Sequence, residues 1–234
     1  MEENEEKVIE IQERDKKILK LCYEQNFLLS EHISDHFFQS DSKLAARRIK
    51  KLQESGYIRY GAHPFDRKRN LIRISRLGKM IASSMSPIEF PYCNAISKYT
   101  LAHAALVTSV RLRLEKIWDG VWIPEMALKQ LDTVEVPDGV FLFKSGTRVA
   151  IEVENSIKGK SRFLKRLAAW REEDEEIVLY VATSEEIYRY LKDYLQHAPV
   201  KPLFALVLWD ELKTGQPVAW SAQGELGIFL RREL

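Results

Sequence analysis

Val136-Pro137-Asp138-Gly139-Val140-Phe141, followed by Val149-Ala150-Ile151-Glu152-Val153-Glu154, decides how this chain is read. Val136 to Phe143 and Arg148 to Glu154 read as two neighbouring strands, and Ser145-Gly146 turns the chain between them. Asp138, Glu152 and Glu154 then fall at strand ends, where an ordinary core strand carries apolar residues. Carboxylates gathered at adjacent strand tips make a hard-oxygen pocket of the kind Mg²⁺ or Mn²⁺ prefers. Two plainer readings stand beside that one. Asp138 before Gly139 serves as a turn residue, or Glu152 and Glu154 form a solvated stripe on an edge strand.

Around this pair the pattern alternates. Ser97 to Ile117 reads as a long helix with Leu101, Ala104, Ala105, Val107, Val110, Leu112 and Leu114 on its apolar side. That row also offers a seam for a homodimer. His103 sits in this helix among alanines and reads as a packed residue. Val121-Trp122-Ile123-Pro124-Glu125 is a short strand ending in a carboxylate. Gly159 to Glu173 is helical, Ile177 to Ala182 is a buried strand, Glu185 to Gln196 is helical and Pro202 to Leu208 is a strand. A further strand is expected within Gly224 to Phe229. Helix, three strands, helix, strand, helix, strand is the order of an α/β layer fold on a mixed sheet.

The N-terminal part has another grammar. Asp15 caps a helix with Ile18, Leu19, Cys22 and Tyr23 inward, and Ser30 caps a second over Glu31 to Phe38 with Ile33 and Phe37 inward. Ser40-Asp41-Ser42 opens a third, Lys43 to Ser55. Its apolar face is Leu44, Ala45, Ile49 and Leu52; its basic face is Lys43, Arg47, Arg48, Lys50 and Lys51. Gly56 stops it. Tyr57 to Tyr60 and Leu71 to Ile74 alternate as strands around a polar connection with a basic tip at Arg67-Lys68-Arg69, and Ser75 restarts a helix. Ser86-Pro87 and Phe90-Pro91 break the pattern, so the expected organisation is a first domain over 1–85, a linker over 86–100 and a second domain over 101–234.

Charge supports the division. The net charge is only +2, yet Lys43 to Lys79 carries twelve Lys and Arg against Glu54 and Asp66, while Glu2 to Glu13 is rich in acid. A local basic field is what a phosphate backbone responds to. The charged N-terminus lacks the pattern of a secretory signal, and no apolar run is long enough for a bilayer; with two separated cysteines, Cys22 and Cys93, a reducing cytoplasm is expected, with no membrane partner.

The helices and basic hairpin of 1–85 resemble the winged helix-turn-helix domains of bacterial DNA-binding proteins, with Lys51-Leu52-Gln53-Glu54-Ser55-Gly56-Tyr57-Ile58 running from recognition helix into wing. The resemblance implies double-stranded DNA as partner, with Ser42, Lys43, Arg47, Arg48, Lys50 and Lys51 toward the duplex and Arg67, Lys68 and Arg69 on phosphate or the minor groove. Winged helices also serve as dimerisation modules. Pro137-Asp138 and Glu152-Val153-Glu154 resemble the motifs of the PD-(D/E)xK nuclease superfamily. Together with Trp122, Glu125 and His103, the whole resembles the replication-relaxation family of plasmid and mobile-element proteins.

That resemblance implies an α+β first domain and an α/β nuclease-like second one, with cleavage of DNA assisted by Mg²⁺ or Mn²⁺. Asp138 and Glu152 would be metal ligands, with the Val153 carbonyl a third, and Glu125, or else Glu115, an outer carboxylate. Glu154 stands where the superfamily has lysine, and Lys158 or Lys160 would reach back to replace it; failing a metal, one of these lysines or Arg162 pairs with the carboxylates. The alternative is a non-enzymatic regulator or accessory factor, with protein partners in a replication or transfer complex.

Overall fold

A computed structural model describes residues 9–63, 66–86, 98–131, 136–157, 159–170, 177–198, 202–215, 219–222 and 224–226; side chains of 62–69, 98–99 and 224–226 are outside that description. The chain divides into two compact units, 1–108 and 109–234. Of the expected linker, residues 87–97 lie outside the described ones.

In the first unit, α1 (Glu13–Gln25) starts two residues before the expected cap. Asp15 is its third residue, and its carboxylate accepts the Gln12 amide at 2.8 Å. Ile18, Leu19, Cys22 and Tyr23 are buried as the helical spacing requires. After β1 (Leu28–Leu29) comes α2 (Ser30–Phe37). Ile33 is buried, but Phe38 rather than Phe37 fills the core. Phe38 has left helical geometry (φ −130°), which turns its ring inward, and the Arg14 guanidinium lies over it at 4.1 Å.

Asp41 caps α3 (Ser42–Glu54), accepting the Lys43 and Leu44 amides at 3.0 and 2.9 Å. The helix ends in a Schellman turn. Tyr57 N–H donates to the Leu52 carbonyl and Gly56 N–H to that of Gln53, with Gly56 at φ +74°. Leu44 departs from expectation. It is 50% exposed, and the buried stripe is Ala45, Ile49 and Leu52.

β2 (Ile58–His63) and β3 (Asp66–Ile74) pair antiparallel, with Ile58 opposite Ile74. β1 adds to the other side of β3, Leu28 opposite Ile72, giving the order β1-β3-β2. The strands run farther than alternation indicated, so the backbone of Arg67 to Arg69 lies within β3 rather than in a loop. Ser75 caps α4 (Arg76–Ser83) by accepting the Gly78 amide, and its hydroxyl donates to the Gly56 carbonyl.

α5 (Lys98–Ile117) crosses the division between Thr108 and Ser109. Leu101 and Ala105 pack with Phe27, Leu29 and Leu71 of the first unit. Leu101, Val107, Val110, Leu112 and Leu114 are all buried within the chain, so the expected dimer seam is already covered.

The second unit is built on β4 (Gly120–Pro124), β5 (Gly139–Phe143), β6 (Arg148–Glu154), β7 (Ile177–Ala182), β8 (Leu203–Leu208), β9 (Ala219–Ser221) and β10 (Gly224–Leu226), hydrogen-bonded in the order β10-β9-β8-β7-β6-β5-β4. The sheet is mixed: β6, β7 and β8 are parallel and the outer pairs antiparallel. Beyond the second half of α5, the helices among the described residues are α6 (Glu125–Leu128), α7 (Lys160–Ala169), α8 (Glu185–Leu195) and α9 (Trp209–Thr214). α7 joins β6 to β7 and α8 joins β7 to β8, the crossovers parallel strands require. Both cover one face of the sheet. Phe163, Leu167, Ile187 and Leu191 pack on Ala150, Val178, Tyr180 and Leu206. All six residues of β7 are buried, hence its unbroken apolar run. Among the described residues no helix is long and apolar enough to cross a membrane.

Candidate functional site

The start of β5 is set by Trp122. Its indole is 2% exposed and lies against Gly139 so closely that a Cβ there would stand 2.0 Å from it. Asp138, one step before the strand, takes up the next rung of the ladder with its side chain. Its Oδ2 accepts the Val153 amide at 2.8 Å, so the backbone donor beyond the β5 pairing is not left bare.

The register pairs Gly139 with Ile151, so Asp138, one residue before β5, and Glu152 lie at adjacent strand ends. Alternation along β6 then places Glu152 and Glu154 on the face under α7 and α8. They do not form a solvated stripe. β6 lies between β5 and β7, and the two carboxylates are 1% and 2% exposed.

Burying Glu152 requires compensation, and it comes from Arg166 of α7, whose Nη2 stands 2.5 Å from Glu152 Oε1. The same guanidinium reaches the Val136 carbonyl at 3.4 Å. Sequence reasoning offered Lys158, Lys160 and Arg162 for this task and missed Arg166. The signal was there: Arg166 is three residues from Phe163 and one from Leu167, on the shoulder of the helix face that packs inward. Tyr180, wholly buried in the neighbouring strand, completes the cluster. Burial first, and then the Glu152 charge, pushes its phenol well above the ordinary range. Tyr190 of α8 is also raised, by desolvation, then by Tyr194, with Glu154 adding to it.

The remaining expected groups are elsewhere or differently engaged. Glu125 opens α6, half in solvent, and pairs with Lys129 at 2.7 Å. Glu115 pairs with Arg111 at 2.8 Å. Lys160 begins α7, with its ammonium 5.9 Å over the Tyr194 ring. Lys158 lies outside the described residues. His103 is half-buried in α5. Among the described residues no three Asp, Glu, His or Cys side chains gather as a metal-binding group. A divalent cation between Asp138 and Glu152 would have to displace the Arg166 guanidinium, so the carboxylates fit such an ion only if α7 releases that contact.

In the first unit, Ser42, Lys43, Leu44, Arg47, Lys50 and Lys51 form the exposed side of α3. Lys50 is 3.6 Å from Glu54, a loose surface pair. Arg48 is different. Its Nε donates to Asp15 Oδ1 at 2.8 Å, its Nη2 bonds to Asp15 Oδ2, and Nη2 also donates to the Glu10 carbonyl at 2.9 Å. Asp15 is fully buried, so Arg48 ties α3 to α1. Side chains of Arg67, Lys68 and Arg69 lie outside the described ones.

The chain matches no family model, no curated protein and no solved structure.

Proposed function

We propose that this chain is a double-stranded DNA-binding protein that docks α3 into the major groove, a winged helix-turn-helix unit joined to a PD-(D/E)xK-like sheet domain. The observation that carries the reading is the outward face of α3. Leu44, Arg47 and Lys51 follow one another at i, i+3 and i+7, with Lys43 beside them, all exposed. An apolar side chain left in water among cations suits a thymine methyl flanked by phosphates. The order α1-β1-α2-α3-β2-β3 and the three-stranded sheet support the same docking. Arg48 has no part in it, being the anchor to Asp15. The setting is the cytoplasm, as a regulator or accessory factor in the replication or transfer of a mobile element, with protein partners there.

The test is duplex binding by anisotropy over a salt series, with Lys43→Gln, Arg47→Gln and Lys51→Gln combined. Each lost phosphate contact flattens the log–log slope by about 0.9. A slope unchanged by the triple variant removes α3 from the interface.

A second reading, metal-assisted DNA cleavage, is favoured by Asp138 and Glu152 lying at adjacent strand ends. Mg²⁺ or Mn²⁺ held there would supply Lewis-acid activation of water. Nicking of supercoiled plasmid by the parent but not by Asp138→Asn supports it; binding without nicking supports the accessory factor.

A further inference from the structure

α7 carries a second cationic surface, distinct from α3 and in the other unit. Its inward side is Phe163 and Leu167, with Trp170 just past its end. Its outward side is Lys160, Ser161, Arg162, Leu164 and Lys165, all exposed. No acid occurs from Gly159 to Trp170. None of the three cations has an ion-pair partner among the described residues. Three other exposed lysines of this unit do: Lys129 with Glu125 at 2.7 Å, Lys144 with Asp119 at 2.6 Å and Lys213 with Asp210 at 2.5 Å. A shallow groove of about 600 Å³ runs along Lys160, Ser161, Leu164, Lys165 and Ala168. A neighbouring depression is lined by Gly159, Lys160, Ser161, Arg162 and Lys165.

We propose that this face of α7 binds the phosphate backbone of duplex DNA. Three like charges held on one short helix without acids repel one another, and a polyanion removes that cost. From Lys160 to Lys165 the helix rises about 7.5 Å, enough for the two long side chains to reach different phosphates. The seryl hydroxyl of Ser161 adds a donor suited to phosphate oxygen. A membrane surface fits poorly, because Leu164 is the one large apolar side chain exposed on α7 among its described residues.

The full chain tests this. Lys160→Gln, Arg162→Gln and Lys165→Gln are combined in one variant. A control of equal charge change combines Lys116→Gln, Lys144→Gln and Lys213→Gln. Both are compared with the parent for duplex binding between roughly 50 and 200 mM salt. Three contacts at about 0.9 each predict a slope flatter by about 2.7, so that over this range the α7 variant loses about 40-fold less affinity than the parent. The control should flatten the slope by less than about one unit. An unchanged slope for the α7 variant, equal flattening in the control, or no duplex binding by the parent overturns the proposal. The proposal rests on the reading of the chain as a duplex-binding protein, which absence of binding by the parent would sink as well; where the parent binds, the α3 reading is judged on its own substitutions, so the two fail separately.

Discussion

Replacing Arg166 by methionine leaves Glu152 as a carboxylate buried without its cation. The Glu152 side chain is 1% exposed and Arg166 19% exposed. Removing one partner from a buried pair costs about 3–5 kcal/mol. Arg166 keeps an edge in water, so the lower end applies, about 3 kcal/mol. For a unit of this size that corresponds to a fall in Tm of roughly 10 °C. All five tryptophans lie within 109–234, so thermal unfolding followed by tryptophan fluorescence reports the second unit alone. The deficit depends on pH in a defined direction. A carboxylate this deeply buried that loses the Arg166 charge holds a proton more tightly folded than unfolded, where glutamate titrates near about 4.3. The folded variant then binds more protons than its unfolded chain, and its stability rises as pH falls. The gap to the parent should therefore narrow from pH 8 toward pH 5. Adding Glu152→Gln to Arg166→Met should recover most of the loss at neutral pH. A single variant within about 0.5 kcal/mol of the parent, the range of an ordinary surface change, refutes the reasoning; so does a gap that does not move with pH.

Two further outcomes follow from packing and burial. Gly139→Ala would set a methyl 2.0 Å from the Trp122 indole, whose side chain is itself buried; we expect a loss of about 3 kcal/mol, the upper end of overpacking, in the same fluorescence melt, and an unchanged Tm would refute the contact. Burial, partly opposed by Arg73 and a backbone hydrogen bond, pushes the Cys22 thiol up to about 12, so in a Cys93→Ser background it should resist thiol reagents at pH 8 until the first unit unfolds. Labelling of the folded protein at the rate of a free thiol would contradict that placement.

Much of the fold was legible because its elements carry strong local patterns. Asp41 and Gly56 bracket α3 nearly where cap chemistry put them, and the continuous apolar run of Ile177 to Ala182 is a strand buried on both faces. What could not be read depends on partners distant in sequence. β1 is two residues long, too short for any periodicity, and exists through its pairing with β3. Leu44 fits the apolar stripe by type, but the stripe is narrow and water takes its first residue.

The acids of β6 left an edge-strand stripe open as an alternative because alternation says nothing about sheet order. With β5 on one side and β7 on the other, the same alternation becomes burial. Arg48 and Arg166 teach the same lesson from the cationic side. Each was one positive charge among several on a basic helix, and only the fold shows which one turns inward to meet a buried carboxylate.

The most direct measurement of the account's central claim is site-specific photocrosslinking from α3. A benzophenone amino acid placed at Leu44, 50% exposed amid Lys43, Arg47 and Lys51, is compared with one at Met80, 67% exposed on α4. Irradiation with a bound duplex should join DNA to position 44 and leave position 80 unlabelled. Crosslinking from 80 alone, or none from 44 while DNA is bound, would place the DNA elsewhere on the protein.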